Sequence, residues 1–446
     1  MRLMINFLKN ILTDKEIKNT ALNRLFKIIT GPITILFITM FLLPVEQGYW
    51  YAFTGLSALS TFAYLGFSTI ILQFSAHEFS FLHTSDDGGI SGDEEHIHRL
   101  GDFLRFVVRW LTRVVSVVFV LIMAGGYFFI TQKGETTVDW VAPWFIYAVF
   151  SALVFFYSSI LCFIEGCDKV AQTQLIRLKV SIGVSIVLLS LLWCGTKLYA
   201  LAFSLVISAL MGFYFLYRDF KCMLLQLWQI SYVQSYDWKP EFYRLIWRYA
   251  ISWCSGYFAL QVYSPLVFNY YGAIEAGQVG ISMAACTAGF SIADAFISSK
   301  LPKINMFIAK KEWHSLDILF KRNLLLAVVT FSLGTLCFWL LHNAFYDRVT
   351  FFQRFMSPLG LGILMLCWLL QLLTNSLAVY IRAHKIEPLY WSSLFWSLYV
   401  FGTTFYIVKN YSCDYLFLGF LSGNILNLPY VYYIYRLQQK IDLESR

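Results

Sequence analysis

Residues 28–80 read IITGPITILFITMFLLPVEQGYWYAFTGLSALSTFAYLGFSTIILQFSAHEFS. Two apolar segments lie here, one ending at Pro44 and one running from near Gly48 to about Phe74. A helix crosses a bilayer with about 20 apolar residues, and each segment is that long. Only Pro44-Val45-Glu46-Gln47-Gly48 separates them, so the pair reads as a tight transmembrane hairpin with Glu46-Gln47-Gly48 as its turn. Polar residues beginning at His77 and Glu78 close the stretch.

The rest of the chain repeats this character. Of its 446 residues, 59% are hydrophobic and 13% are charged, and the mean hydropathy is +0.63. Soluble domains carry about 25% charged residues, so composition excludes a soluble globular class. Twelve apolar spans are expected, at roughly 24–43, 48–74, 106–130, 141–164, 178–195, 198–217, 245–270, 277–297, 323–342, 357–381, 388–408 and 412–435. Backbone groups in hydrocarbon must pair within their own segment, which makes these spans helices. Barrel strands would be shorter and alternating. The expected fold class is an all-α polytopic membrane protein.

Lys and Arg set the orientation. Of 34 such residues, all but Lys133, Lys197, Arg348, Arg354 and Lys409 fall on one side of the twelve spans. Both termini are therefore expected in the cytoplasm, and the net charge of +8 marks inner loops rather than a nucleic-acid partner. The first 20 residues have no apolar core with a small-residue cleavage site, so no cleavable signal is expected. Phe7, Leu8, Ile11 and Leu12 predict a surface helix within 1–20. The nine Cys form no C-x-x-C and read as small packing residues. The connection 75–105 holds DDGGISGDEE, read as a solvated acidic loop; its histidines lack metal-site spacing, and no metal or cofactor is expected.

A second hairpin follows the first. Glu275-Ala276-Gly277 stands 229 positions after Glu46-Gln47-Gly48, and small residues punctuate the helix after each. Pro32 and Pro265 lie in the first helix of each hairpin. Six spans precede the Trp- and Tyr-rich stretch 218–244, and six follow. An even number preserves orientation, so the halves are parallel repeats about an axis along the membrane normal. The expected organisation is an N-terminal lobe over 1–217, a cytoplasmic interfacial linker over 218–244 and a C-terminal lobe over 245–446.

The run P-V-E-Q-G-Y-W-Y-A-F, followed by L-G-F-S-T-I-I-L-Q-F-S-A-H-E, resembles the multidrug/oligosaccharidyl-lipid/polysaccharide exporter superfamily, in particular its O-antigen repeat-unit flippases. The resemblance implies two six-helix lobes around a central cavity in the bacterial inner membrane. It implies movement of an undecaprenyl-diphosphate-linked oligosaccharide between leaflets, without enzymatic chemistry. The implied partners are that lipid-linked substrate, membrane lipids and other polysaccharide assembly proteins. A cation-coupled drug or metabolite antiporter of the same superfamily is the alternative. A polysaccharide polymerase or ligase fits less well, because the outer loops are short.

The resemblance assigns no ligand residue, so candidates come from charge inside apolar spans. Arg105, Arg109 and Arg113 recur every four residues and form one helical stripe. A guanidinium fork suits a diphosphate; snorkelling to headgroups is the plainer reading of the stripe. Arg24 and Lys27 open the first span, and Arg244 and Arg248 the seventh. Arg24, Arg109, Arg113 and Arg248 are the substrate-binding candidates. Asp294 is the ion-coupling candidate, with pairing to Lys300 as the plainer reading. Gln371, Asn375, Asn424 and Asn427 are candidates for sugar hydroxyls or for helix–helix contacts.

Overall fold

The computed structural model describes residues 15–60, 67–85, 88–132, 138–230, 236–240, 242, 256–258, 260–384 and 388–444. The chain divides into two units, one comprising Met1–Phe37 and Leu56–Cys254, the other Ile38–Gly55 and Ser255–Arg446. The second unit therefore includes the turn end of the first hairpin.

Helices α1 (Lys15–Phe41) and α2 (Pro44–Ser57) form the start of that hairpin. They are followed by α3 (Phe67–Phe79), α4 (Glu94–Thr131), α5 (Val141–Gly166), α6 (Val170–Trp193) and α7 (Leu198–Gln229). The second unit continues with α8 (Tyr263–Tyr270), α9 (Ala273–Ser298), α10 (Leu301–Ala309), α11 (Trp313–Phe345), α12 (Pro358–Ala383), α13 (Tyr390–Asn410) and α14 (Leu418–Glu444). Among the described residues, eight helices are long and apolar enough to cross a membrane: α1, α4, α5, α6, α7, α9 with its continuation into α10, α11 and α12. The protein is an all-α multi-pass membrane protein. Helices α13 and α14 stand where the last two spans are expected. The second and seventh expected spans, and the surface helix over 1–20, include positions outside the described residues.

In the first unit, α7 packs along α5 and α6, while α3 packs on α4 and α5. Phe67, Phe103, Phe155 and Phe163 are fully buried there. The stretch 218–244 contributes to this core. Trp238 places its ring 4.9 Å from Phe103, and Phe242 lies 5.2 Å from Phe67. A Trp- and Tyr-rich composition predicts the headgroup level; Trp228 and Tyr236 are exposed, but Trp238 and Phe242 are buried.

The acidic connection has structure. Strands β1 (Leu82–Thr84) and β2 (Ile90–Gly92) pair antiparallel. The Gln226 amide on α7 pins this hairpin by donating to the Ile90 carbonyl and accepting from the Ile90 N–H, both at 2.7 Å. Asp93 then caps α4, its carboxylate accepting from Glu95 N–H at 2.9 Å and His96 N–H at 3.3 Å. Glu94 and Glu95 in the first turn complement the helix dipole. The acidic run is thus largely a helix start.

The second unit is built on α9, which packs against α8, α11 and α12, with α14 on α12 and α13. Pro44 opens α2 instead of preceding it, so the break after α1 is two residues long. Proline is preset for the first helical position, where its missing N–H costs nothing. Glu46-Gln47-Gly48 is therefore the first turn of α2, and Glu275-Ala276-Gly277 is the first turn of α9. Pro32 is inside α1, whereas Pro265 sits in the first turn of α8.

These two helix starts meet. A Cβ on Gly48 would run into the Ala273 carbonyl, and one on Gly277 would come within 2.9 Å of Gly48 N and 3.2 Å of Pro44 O. At an offset of 229, Pro44 corresponds to Ala273 and Gly48 to Gly277. Each glycine thus touches the residue equivalent to its own neighbour four positions back, as in a two-fold contact. Gln47, 1% exposed, adds bonds from Nε2 to the Gly277 carbonyl at 2.8 Å and the Arg354 carbonyl at 3.2 Å. Burial holds the Arg354 guanidinium below its ordinary pKa, opposed by the Glu46 carboxylate.

Candidate functional site

Helix α4 presents Arg105, Arg109 and Arg113 to one groove of about 700 Å³, lined also by Trp110, Trp228, Tyr236 and Lys239. The four-residue spacing keeps the three arginines on one face, but they do different things. Arg105 donates from Nη1 to the carbonyls of Ile230 at 2.6 Å and Trp228 at 3.0 Å, with a longer contact to Leu227 at 3.5 Å. Its Nη2 donates to Asp102 Oδ1 at 2.8 Å. The last carbonyls of a helix have no intrahelical partner, and α7 ends at Gln229. Arg105 is the cap of α7; it neither snorkels nor waits for a ligand. Gly101, one turn earlier, allows this approach, since a Cβ there would lie 2.7 Å from the Leu227 carbonyl oxygen.

Arg109 and Arg113 are exposed. Among the described residues neither makes a hydrogen bond or ion pair. The two acids in the groove are already engaged. Asp102 binds Arg105 and accepts from Tyr236 N–H at 2.9 Å, and Asp237 accepts from Lys239 N–H at 3.2 Å. A π-helical turn at Val115–Phe119 follows directly, a local irregularity that recurs at functional sites.

The other candidates lie elsewhere. Arg24 is exposed on α1, whose start is fixed by Asn19 Nδ2 donating to the Ala171 carbonyl at 2.8 Å. It does not line the arginine groove. Arg248 lies outside the described residues. Asp294, half-buried on α9, accepts from Asn375 Nδ2 at 2.9 Å.

Gln371, Asn375 and Asn427 converge with Arg382, Ser392, Ser393 and Trp396 on a cavity of about 90 Å³ between α12, α13 and α14. Asn424 is separate. It accepts from Trp396 Nε1 and donates to the Cys367 carbonyl, both at 2.9 Å, a helix–helix contact. Sequence reasoning missed two placements here. It did not divide Arg105 from its neighbours, although Asp102 at i−3 was a visible pairing signal. It also did not see Trp396, which periodicity cannot distinguish from lipid-facing tryptophans.

No protein-family model matches the sequence, and no curated protein matches it. Solved structures do match. The lipid II flippase MurJ in an inward closed conformation aligns with TM-score 0.68 at 12% identity, covering 96% of this chain and 90% of that one. A multidrug resistance MATE family transporter of the MOP superfamily, inward-facing, aligns with TM-score 0.58 at 13% identity, over 93% and 99% of the two chains. A mutant of the Vibrio cholerae MATE transporter VcmN aligns with TM-score 0.54 at 12% identity, over 95% of each. With nearly the whole chain aligned in each case, this protein has the fold of the multidrug/oligosaccharidyl-lipid/polysaccharide exporter superfamily.

Proposed function

We propose that the protein is a transporter that moves an undecaprenyl-diphosphate-linked oligosaccharide from the inner to the outer leaflet of the bacterial inner membrane by alternating access, for surface polysaccharide synthesis. It performs no covalent chemistry. The observation that favours a saccharide cargo is the convergence of Gln371, Asn375, Asn427 and Trp396 on one cavity. Carboxamides both donate and accept, as sugar hydroxyls do, and an aromatic ring offers an apolar body beside them. At about 90 Å³ the cavity takes the edge of a sugar ring, not a whole oligosaccharide. Gly48 and Gly277 hold the starts of α2 and α9 together within the second unit. Arg24 and Arg248 are assigned to the inner mouth for the diphosphate, together with Arg109 and Arg113.

A second reading rests on Asp294. A half-buried carboxylate held by Asn375 is the kind of group a cation-coupled antiporter uses. The two readings separate on one comparison. Gln371→Ala with Asn427→Ala is expected to cut surface polysaccharide by about thirtyfold at matched expression, since each of the two lost bonds to cargo costs about 1 kcal/mol. Unchanged polysaccharide in that variant contradicts the saccharide reading.

A further inference from the structure

The groove on α4 has a definite depth. The chain from Val114 to Thr131 contains no charged residue, and every charge of α4 lies between Glu94 and Arg113. Those 18 uncharged residues span about 27 Å at 1.5 Å per residue, nearly the full hydrocarbon core of about 30 Å. Arg113 therefore sits at the edge of the hydrocarbon, and Arg109 one turn further into the headgroup layer. Trp110, Trp228 and Tyr236 line the same groove, and Trp and Tyr settle at headgroup level. Arg105 and Asp102 satisfy each other, which leaves Arg109, Arg113 and Lys239 facing Asp237 as the only other acid lining the groove among the described residues.

We propose that this groove binds the phosphate headgroup of a membrane lipid in the leaflet at the charged end of α4. Arg109 and Arg113 hold the phosphate oxygens with guanidinium forks, and Lys239 closes the site from the segment after α7. The acyl or prenyl chain runs along the uncharged part of α4. Arg105 is not a ligand; it fixes the segment after α7 that forms the opposite wall. Two lipids carry this chemistry, a bulk anionic phospholipid and a diphosphate-linked carrier. The inference rests on the transport reading only for the second.

The test is native mass spectrometry of the full chain, purified in detergent and offered phosphatidylglycerol, undecaprenyl diphosphate or phosphatidylcholine. The wild type is expected to retain one of the first two. Arg109→Gln with Arg113→Gln is expected to weaken that retention by about tenfold or more, because two charge-assisted bonds are lost. Both side chains are exposed, so the variant is expected to keep its fold, checked by its thermal midpoint. Preference for undecaprenyl diphosphate identifies the carrier, and equal retention of it and phosphatidylglycerol identifies a general site for anionic phosphate lipids. Equal retention of phosphatidylcholine, or undiminished binding by the double variant, overturns the proposal. If the double variant loses lipid but still supports normal surface polysaccharide, the groove stands and its role in transport falls.

Discussion

The seam between α2 and α9 and the groove on α4 are built from opposite materials. In the seam the side chains have been removed. Gly48 and Gly277 bring backbone against backbone, and the buried Gln47 side chain bonds to carbonyls. In the groove the side chains are long, charged and partly unclaimed. Arg105 is satisfied by the end of α7, while Arg109 and Arg113 keep their guanidinium groups open. Small residues hold such a contact by shape and place no charge in it. A site for an anion needs charges that the fold itself does not consume.

The largest expected effect breaks the seam. Gly48→Leu puts a branched side chain into the Ala273 backbone, where overpacking costs about 3 kcal/mol or more. The expected outcome is loss of surface polysaccharide with a lowered thermal midpoint; Gly31→Leu, in open space, is the control and is expected to behave as wild type. Next comes Arg105→Ala. It strips the end of α7 of its cap and leaves Asp102 without its ion pair, at about 2–3 kcal/mol. Thermal unfolding of the purified variant measures this. A midpoint equal to wild type would place Arg105 with its two exposed neighbours after all.

The contrast sharpens within the stripe. Arg109→Ala and Arg113→Ala are expected to change stability by no more than about 0.5 kcal/mol, as exposed sites do, yet to lower surface polysaccharide. Arg113→Lys is the decisive companion. Lysine restores a snorkelling charge but not a guanidinium fork, so rescue by lysine would reassign Arg113 to simple headgroup attraction. In transport Gln226→Ala does less: it frees the β-hairpin at Ile90 for about 1 kcal/mol of stability and leaves surface polysaccharide unchanged.

The smallest effect is expected at Asp294. If the cargo carries negative charge outward from a negative interior, each charge gains about 2.3 kcal/mol per 100 mV, and an ion site is not needed for the loaded step. Asp294→Asn is then expected to keep surface polysaccharide near the wild-type level. Abolished polysaccharide at normal protein level would favour the cation-coupled reading.

Hydropathy alone carried much of the fold, because a helix in lipid must be apolar along its whole length. Glu46 and Glu275, paired by their spacing in the sequence, stand in corresponding first turns. What Pro44 does was misread, since a proline before a turn and one opening a helix look alike until the chain is placed. The acidic run 85–95 read as solvent-exposed because its partners are remote; Gln226 is 136 positions from Ile90. The same distance problem hid the role of Arg105, whose acceptors lie 122 to 125 positions away. Spacing put the three arginines on one face, and only the end of α7 could separate them. Trp238 and Phe242 show the limit of composition, which assigns aromatic residues to the interface without knowing which ones a neighbouring helix will cover.

The transport reading is tested most directly by following its cargo. In cells lacking this protein, lipid-linked oligosaccharide is extracted and assigned to a leaflet by an impermeant label, then compared with cells carrying the wild type. The predicted result is accumulation in the inner leaflet and loss of the outer-leaflet pool, both restored by the wild-type gene. An outer-leaflet pool that persists at the wild-type level without the protein would contradict it.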